Sequence, residues 1–291
     1  MSTPTLMFCT GATKAGTSWL HRYISNHPEC HMRGIKELHY FDALEFQDWK
    51  TWIKMVAGRR DTALREAERA KSEAQLINKR RVAHDAQAWL DVLERRAQDD
   101  DAYMAYLTEG LSEQRLVGDF TPAYGLLPQR GLRHMAKLVP DVRFVYLLRD
   151  PVQRLWSHAR MIAGRRAETP DEIPGRAVNI VKRTLRGKEE EIEKRSDYIR
   201  PLKRLRAAVD ESQIHIAYYE ELFNRDAIAE LSKFLGISHA WADFDKRILE
   251  SPKAEMEPGQ WEAVREFLAP QYDGVREMLG RVPDLWDKNP G

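Results

Sequence analysis

Residues Gly11 to Leu20, GATKAGTSWL, constrain this chain more than any other segment, because they set a glycine-rich loop between an apolar run and a helix. Thr5 to Cys9 reads as a first strand, and Trp19, Leu20, Tyr23 and Ile24 recur at helical spacing. A strand that turns into a helix in this way aims unpaired backbone N–H groups and the positive end of the helix dipole at one point, which suits a phosphate. Gly11, Gly16 and Ser18 fit the phosphate-loop pattern G-x-x-x-x-G-K-[ST], but Thr17 stands where the lysine belongs. The cation is Lys14, inside the loop. From there it is poorly placed to follow the terminal phosphate of a magnesium nucleotide, and well placed for a bridging oxygen nearer the loop.

The 291 residues, 43% hydrophobic and 31% charged, suffice for one large α/β domain, and one domain spanning 1–291 is the expectation. A formal charge of +1 gives no global reason to expect nucleic acid as a partner, so local clusters must account for any anion binding. Cys9 and Cys30 are too few for a disulfide scaffold, and no Cys/His spacing suggests a metal site. Neither a secretory leader nor an apolar run of membrane-spanning length is visible, which predicts a soluble cytoplasmic protein with no transmembrane segment.

Candidate strands are Thr5–Cys9, a short piece within Cys30–Arg33, Arg115–Gly118, Val142–Leu148 and Gln213–Tyr218, with helical stretches between them. This alternation predicts a parallel sheet of about five strands. VRFVYLL, Val142 to Leu148, is continuously apolar, as expected of a central strand buried on both faces. A charged, alanine-rich segment from Arg59 to Gly110 reads as a helical insertion, and Asn179 to Arg206 as a second helical region.

Two further constellations carry chemistry. In LLRDPVQRLWSHAR, Leu147 to Arg160, the apolar strand stops at Arg149, Asp150 suits an N-cap and Pro151 the first helical position. Arg149 then stands at the carboxyl edge of the sheet with Ser157 about two turns into the helix, a pair suited to a second phosphate. Taken alone, Arg149 also fits a surface ion pair. IKELHYFD, Ile35 to Asp42, gathers Lys36, Glu37, His39 and Asp42 among aromatic neighbours and offers a general base. Tyr40 and Phe41 read as core, and His39 alone also fits a structural histidine. VGDFTPAYGLLP ends a strand with Asp119, Thr121 and Pro122, which suit either a helix cap or the wall of a cleft.

The order and spacing of these segments resemble the sulfotransferases that use 3′-phosphoadenosine-5′-phosphosulfate (PAPS). The resemblance implies a three-layer P-loop-type α/β domain, with the helical insertion at about 59–110 as its addition. It further implies that Lys14 contacts the sulfate bridge, that Ala15, Gly16, Thr17 and Ser18 form the 5′-phosphate loop, that Arg149 and Ser157 hold the 3′-phosphate and that Tyr198 lies near the nucleotide. KELHYFD is similar to the K-E-P-H-F-F-D of the carbohydrate branch, with Leu38 and Tyr40 replacing the proline and the first phenylalanine. There the glutamate is the base, which implies Glu37 here, with His39 as the other catalytic candidate and His39 and Asp42 beside the acceptor. FLAPQYDGVREMLG looks like the family's closing helix. The lysine- and glycine-rich stretch that often covers the cofactor is reduced to SPKAEMEPG, where Lys253 is a candidate. The lack of a stem or anchor in the sequence separates the chain from Golgi-type members and favours a bacterial soluble form.

The chemistry stands without the family. Charge builds on the bridging oxygen during sulfuryl transfer, where Lys14 and the loop amides stabilise it. Glu37 takes the acceptor proton, and a direct displacement needs neither a metal nor a covalent enzyme intermediate. The rival enzyme reading is a P-loop kinase or NTPase, which asks for a lysine at position 17 and a metal-holding carboxylate. A non-catalytic nucleotide-binding scaffold is the other alternative. The acceptor is expected to be a carbohydrate or a small alcohol or amine. The insertion reads as a specificity lid or dimer surface, and the oligomeric state stays open.

Overall fold

The computed structural model describes residues 3–244 and 255–288. Lys253 therefore lies outside the described residues. In chain order the elements are β1 (Thr5–Gly11), α1 (Thr17–Ser25), β2 (Cys30–His31), α2 (Tyr40–Phe46), α3 (Trp49–Glu68), α4 (Glu73–Leu93), α5 (Asp100–Thr108), β3 (Leu116–Phe120), α6 (Gln129–Met135), β4 (Val142–Leu148), α7 (Pro151–Arg166), α8 (Ile173–Thr184), α9 (Glu190–Ser196), α10 (Ile199–Ala208), β5 (Ile214–Tyr218), α11 (Arg225–Leu235), α12 (Pro258–Leu279) and α13 (Asp284–Lys288).

The strands form one parallel sheet in the order β2-β3-β1-β4-β5, flanked by helices. Leu6 to Cys9 of β1 and Phe144, Val145, Leu147 and Leu148 of β4 have no exposed surface, because helices cover both faces of the sheet. β4 is internal, as its sequence predicts. The middle position, however, goes to β1, which pairs with β3 on one side and β4 on the other. That two-sided pairing carries β1 on to Gly11, past the expected end at Cys9. Cys9 and Cys30 are buried free thiols.

Since all strands run the same way, the segments that follow them emerge at one carboxyl edge, where α/β sheets bind ligands. The glycine-rich loop follows β1, the Lys36–Glu37 segment follows β2, Thr121 follows β3 and Arg149 follows β4. Helical structure in the charged region starts at Trp49, ahead of Arg59, and folds into the α3–α4 hairpin. Asp48 and Ser72 cap the two helices by accepting from the N–H groups of Thr51 and Gln75. Among the described residues no helix is long and apolar enough to cross a membrane.

Candidate active site at the carboxyl edge of the sheet

The loop after β1 is tightly specified. Gly16 caps α1 at φ +93° without a side-chain cap, leaving the first amides of the helix free of intrahelical partners. A Cβ on Gly16 would come within 2.6 Å of the Tyr219 ring, so glycine is required by conformation and by space together. Ala15 is fully buried, and its N–H closes the turn on the Ala12 carbonyl at 3.1 Å. Thr17 is buried in the first turn of α1. Lys14 takes the left-handed φ of 70°, a conformation that costs about 1–3 kcal/mol for a residue with a side chain. Burial, and then the positive charges of Arg149, Arg160, Lys36 and Arg165, pull its ammonium below the ordinary lysine value.

The Arg149 side of the site follows the sequence reading closely. Asp150 caps α7 by accepting from the Gln153 N–H at 2.8 Å, with Pro151 at the first helical position. Its other oxygen accepts from Tyr272 of α12 at 3.0 Å, which ties the C-terminal helix to this junction. The Arg149 guanidinium lies 4.8 Å over the Tyr219 ring and donates to the Lys14 carbonyl at 3.2 Å. Tyr198 is fully buried and donates to the Arg149 carbonyl at 2.7 Å, so it positions the arginine backbone. Ser157 is buried on α7.

Beside Ser157, at helical spacings of three and one, lie Arg154 and His158, both without exposed surface. Arg154 donates to the Ser196 hydroxyl, while among the described residues its Nε and Nη1 find no partner and neither ring nitrogen of His158 finds one. Burial, with Arg154, Arg195, Lys14 and Arg165 close by, pushes His158 down to about 2, so its imidazole is neutral. Arg195 reaches the loop through the Thr13 hydroxyl at 2.9 Å. Among the described residues none of Lys14, Arg149 and Arg154 forms an ion pair. One buried and two half-buried cations without carboxylate partners fit a ligand that brings several negative charges.

The Glu37 side is built differently. Glu37 and His39 have left-handed φ values of 57° and 55°, and buried hydroxyls hold the segment in that shape. Thr121 Oγ1 accepts from the Leu38 N–H at 2.9 Å and donates to Asp119 at 2.6 Å. Tyr124 accepts from the Tyr40 N–H at 3.0 Å and donates to the same carboxylate at 2.8 Å. Tyr103 donates to it as well, at 3.0 Å. Burial lifts Asp119 to about 6 against the pull of these three donors. Thr121 does stand at the N-cap of a 3-10 turn, Pro122–Leu126, but its side chain does not cap it, and both Asp119 and Thr121 are buried away from the cleft: they fix the direction of the hydrogen bonds that shape the Glu37 segment.

The α3–α4 hairpin holds the same segment from its other side. Trp89 donates to the Leu38 carbonyl at 2.9 Å. Arg59 donates to the carbonyls of Lys36 at 2.5 Å and Glu37 at 3.3 Å, and lies 3.6 Å from the Glu37 carboxylate. His39 stacks on Trp52 at 3.6 Å and pairs with Asp42 at 2.6 Å, both side chains buried. Lys36 joins the two sides: its ammonium donates to Ser18 Oγ at 2.7 Å and stands 3.9 Å from Glu37.

Sequence reasoning thus singles out the loop, Arg149, Ser157 and Glu37, names Lys36 and Asp119 without giving them these contacts, and passes over Arg59, Arg154, His158 and Tyr219. Arg154 and His158 carried a legible signal, sharing a helix face with Ser157 in the motif already singled out. Arg59 carried none.

Residues 6–243 match the model of the sulfotransferase family. No curated protein matches the chain. Among solved structures, a sulfotransferase from Alicyclobacillus acidocaldarius superposes with a TM-score of 0.64 at 22% identity, over 99% of this chain and 100% of that one. The sulfotransferase domain of the olefin synthase of Synechococcus PCC 7002 gives 0.55 at 17% identity, over 97% and 96%. At such identities the likeness speaks for the fold.

Proposed function

The chain belongs to the sulfotransferase family, and from that premise we propose that it moves a sulfuryl group from PAPS to a hydroxyl or amine acceptor by direct in-line displacement. The observation that carries this reading is the Lys36 bridge, which brings the anion loop and a carboxylate into one cleft through Ser18 and Glu37. Two separate structural clusters would not need that link.

The residues present fit a nucleotide with phosphates at both ends. Orphaned, buried donors on Arg154 and cations without carboxylates at Lys14 and Arg149 are what such an anion would satisfy. When bound, PAPS supplies the sulfuryl group. The amides at the start of α1, with Ser18 and Lys14, would hold its 5′ end, and Arg149 and Ser157 its 3′-phosphate. Lys14 and Lys36 place positive charge where the leaving oxygen becomes negative. Glu37 accepts the proton of the attacking acceptor. Of the two candidate bases it is the accessible one, its side chain 35% exposed against 7% for His39, and we assign His39 and Asp42 to bracing it.

The kinase or NTPase alternative lacks its lysine, because Thr17 fills that position. Turnover of PAPS with a panel of alcohols and amines, followed by release of the bisphosphate product, tests the proposal. Glu37→Gln should keep affinity for that product while lowering turnover by about 10²-fold or more, as for a lost general base. If His39→Ala alone has this effect, the base is His39.

A further inference from the structure

An open groove of about 570 Å³ runs between the Gly34–Glu37 segment and the α3–α4 hairpin. We propose that it is the acceptor site and that it takes an uncharged alcohol with a compact apolar body, an inference that rests on Glu37 being the base. Its volume falls within the range of about 300–1,000 Å³ common to small-molecule pockets.

Met55, Gly58, Arg59, Thr62, Ala63 and Glu66 of α3 line the groove. They recur at spacings of three and four residues, so one continuous face of the helix is turned toward it. Ile35, Met55, Ala63 and Val82 make much of the wall apolar. The ionic groups in the wall are balanced and already engaged. Lys36 is bonded to Ser18, Arg59 is bonded to the carbonyls of Lys36 and Glu37 and lies beside the Glu37 carboxylate, and Glu66 pairs with Lys79 at 2.5 Å. An anionic sugar would meet two lining cations already bonded within the chain and two lining carboxylates that repel it. A neutral sugar would leave most of its hydroxyls against Ile35, Met55, Ala63 and Val82 without partners, which is unfavourable. A single hydroxyl directed at Glu37, with the remaining body apolar, matches the wall.

Gly58 singles out the place where that body lies. A glycine inside a helix is less stable than alanine, and protein packing does not demand this one: a Cβ built on it meets nothing within 4 Å. The space in front of it belongs to the groove. In the reaction the acceptor oxygen forms a bond to sulfur, the bond from sulfur to the donor's bridging oxygen breaks, the electron pair leaves with that phosphate oxygen, and the acceptor proton passes to Glu37.

The test compares 2-naphthol and cyclohexanol with a glucuronate-containing disaccharide on the full chain, in the wild type and in Gly58→Ala and Gly58→Leu. Expected are turnover of the alcohols and not of the disaccharide, and a loss of about 10-fold or more in kcat/KM for 2-naphthol in Gly58→Leu, the order of effect of altering a hydrophobic subsite. Gly58→Ala should melt no lower than wild type, and affinity for 3′-phosphoadenosine-5′-phosphate should be the same in all three. Preference for the disaccharide, or an unchanged kcat/KM in a folded Gly58→Leu, overturns the proposal. Quenching of 2-naphthol fluorescence by the protein without donor reads the groove separately. If the bisphosphate fails to bind wild type, the donor reading falls, while naphthol binding that is lost in Gly58→Leu still upholds the groove and naphthol binding that is unchanged removes it.

Discussion

The two sides of the cleft hold charge in opposite ways. Around the glycine-rich loop and α7, Lys14, Arg149 and Arg154 form no ion pairs among the described residues, and His158 is buried with both nitrogens idle. Around Glu37 the lining charges are matched by neighbours, and Asp119 with its three hydroxyls completes the hydrogen bonding of a left-handed segment. The first side is electrostatically incomplete by itself, which suits the anionic donor proposed for it. The second is complete and presents a shaped wall in which Glu37 is the carboxylate that Lys36 links to the loop. The proposed reaction, with a highly charged donor on one side and an acceptor on the other, calls for this asymmetry, because unpaired cations on the second side would compete for the donor's phosphates.

Removing charge from the incomplete side should have the largest effect. Lys14→Met is expected to lower turnover by about 10²–10³-fold, the usual loss when one preorganised group that meets developing charge is removed. A fall of less than tenfold in single-turnover rate would show that Lys14 only fills the loop.

On the complete side the effect should be conformational and pH-dependent. The Asp119 carboxyl sits at about 6 in the folded chain against an ordinary 3.8. Between those values the folded state keeps a proton that the unfolded state has lost, so this group's contribution to stability falls as pH rises through the window, by roughly 3 kcal/mol in all. Asp119→Asn should abolish that component, and the melting temperature of wild type relative to the variant should rise as the pH drops from 7 to 4. A difference independent of pH would mean that Asp119 is not the titrating group.

The smallest effect expected is on proton linkage. His158 is held neutral by burial, down to about 2, while in the unfolded chain it protonates below about 6.5. Its share of stability is thus present above that unfolded value and is lost as pH falls below it. An anion beside it would raise its affinity for a proton, so bisphosphate binding near pH 6 should be accompanied by proton uptake in wild type, and by less in His158→Gln. Calorimetry in buffers of different ionisation enthalpy measures the difference, and equal uptake in both would place the bound charge away from α7.

The same contrast explains what could be read in the sequence. The side proposed to hold the donor is written in two contiguous stretches, GATKAGTSWL and LLRDPVQRLWSHAR, in which loop, cap, proline and helix follow one another, so local rules suffice. The all-apolar β4 was legible because both of its faces are covered, although the middle of the sheet belongs to β1. The Glu37 side is assembled from distant segments. Arg59 looks like one more charge on a solvated helix until α3 is laid over Glu37, and Asp119 looks like a cap until Tyr103 and Tyr124 are brought to it. The left-handed φ of Lys14, Glu37 and His39 has no sequence signature, since side chains other than glycine rarely adopt it. Tyr198 illustrates the intermediate case: expected near the nucleotide, it is buried and bonded to the Arg149 carbonyl.

The most direct measurement is calorimetric titration of 3′-phosphoadenosine-5′-phosphate and of ATP, each with and without Mg²⁺, into wild type and Arg149→Ala. The account predicts tight binding of the bisphosphate that does not depend on the metal, weaker binding of ATP, and loss of the bisphosphate signal in Arg149→Ala. A preference for Mg-ATP, or bisphosphate binding that survives the loss of Arg149, would contradict it.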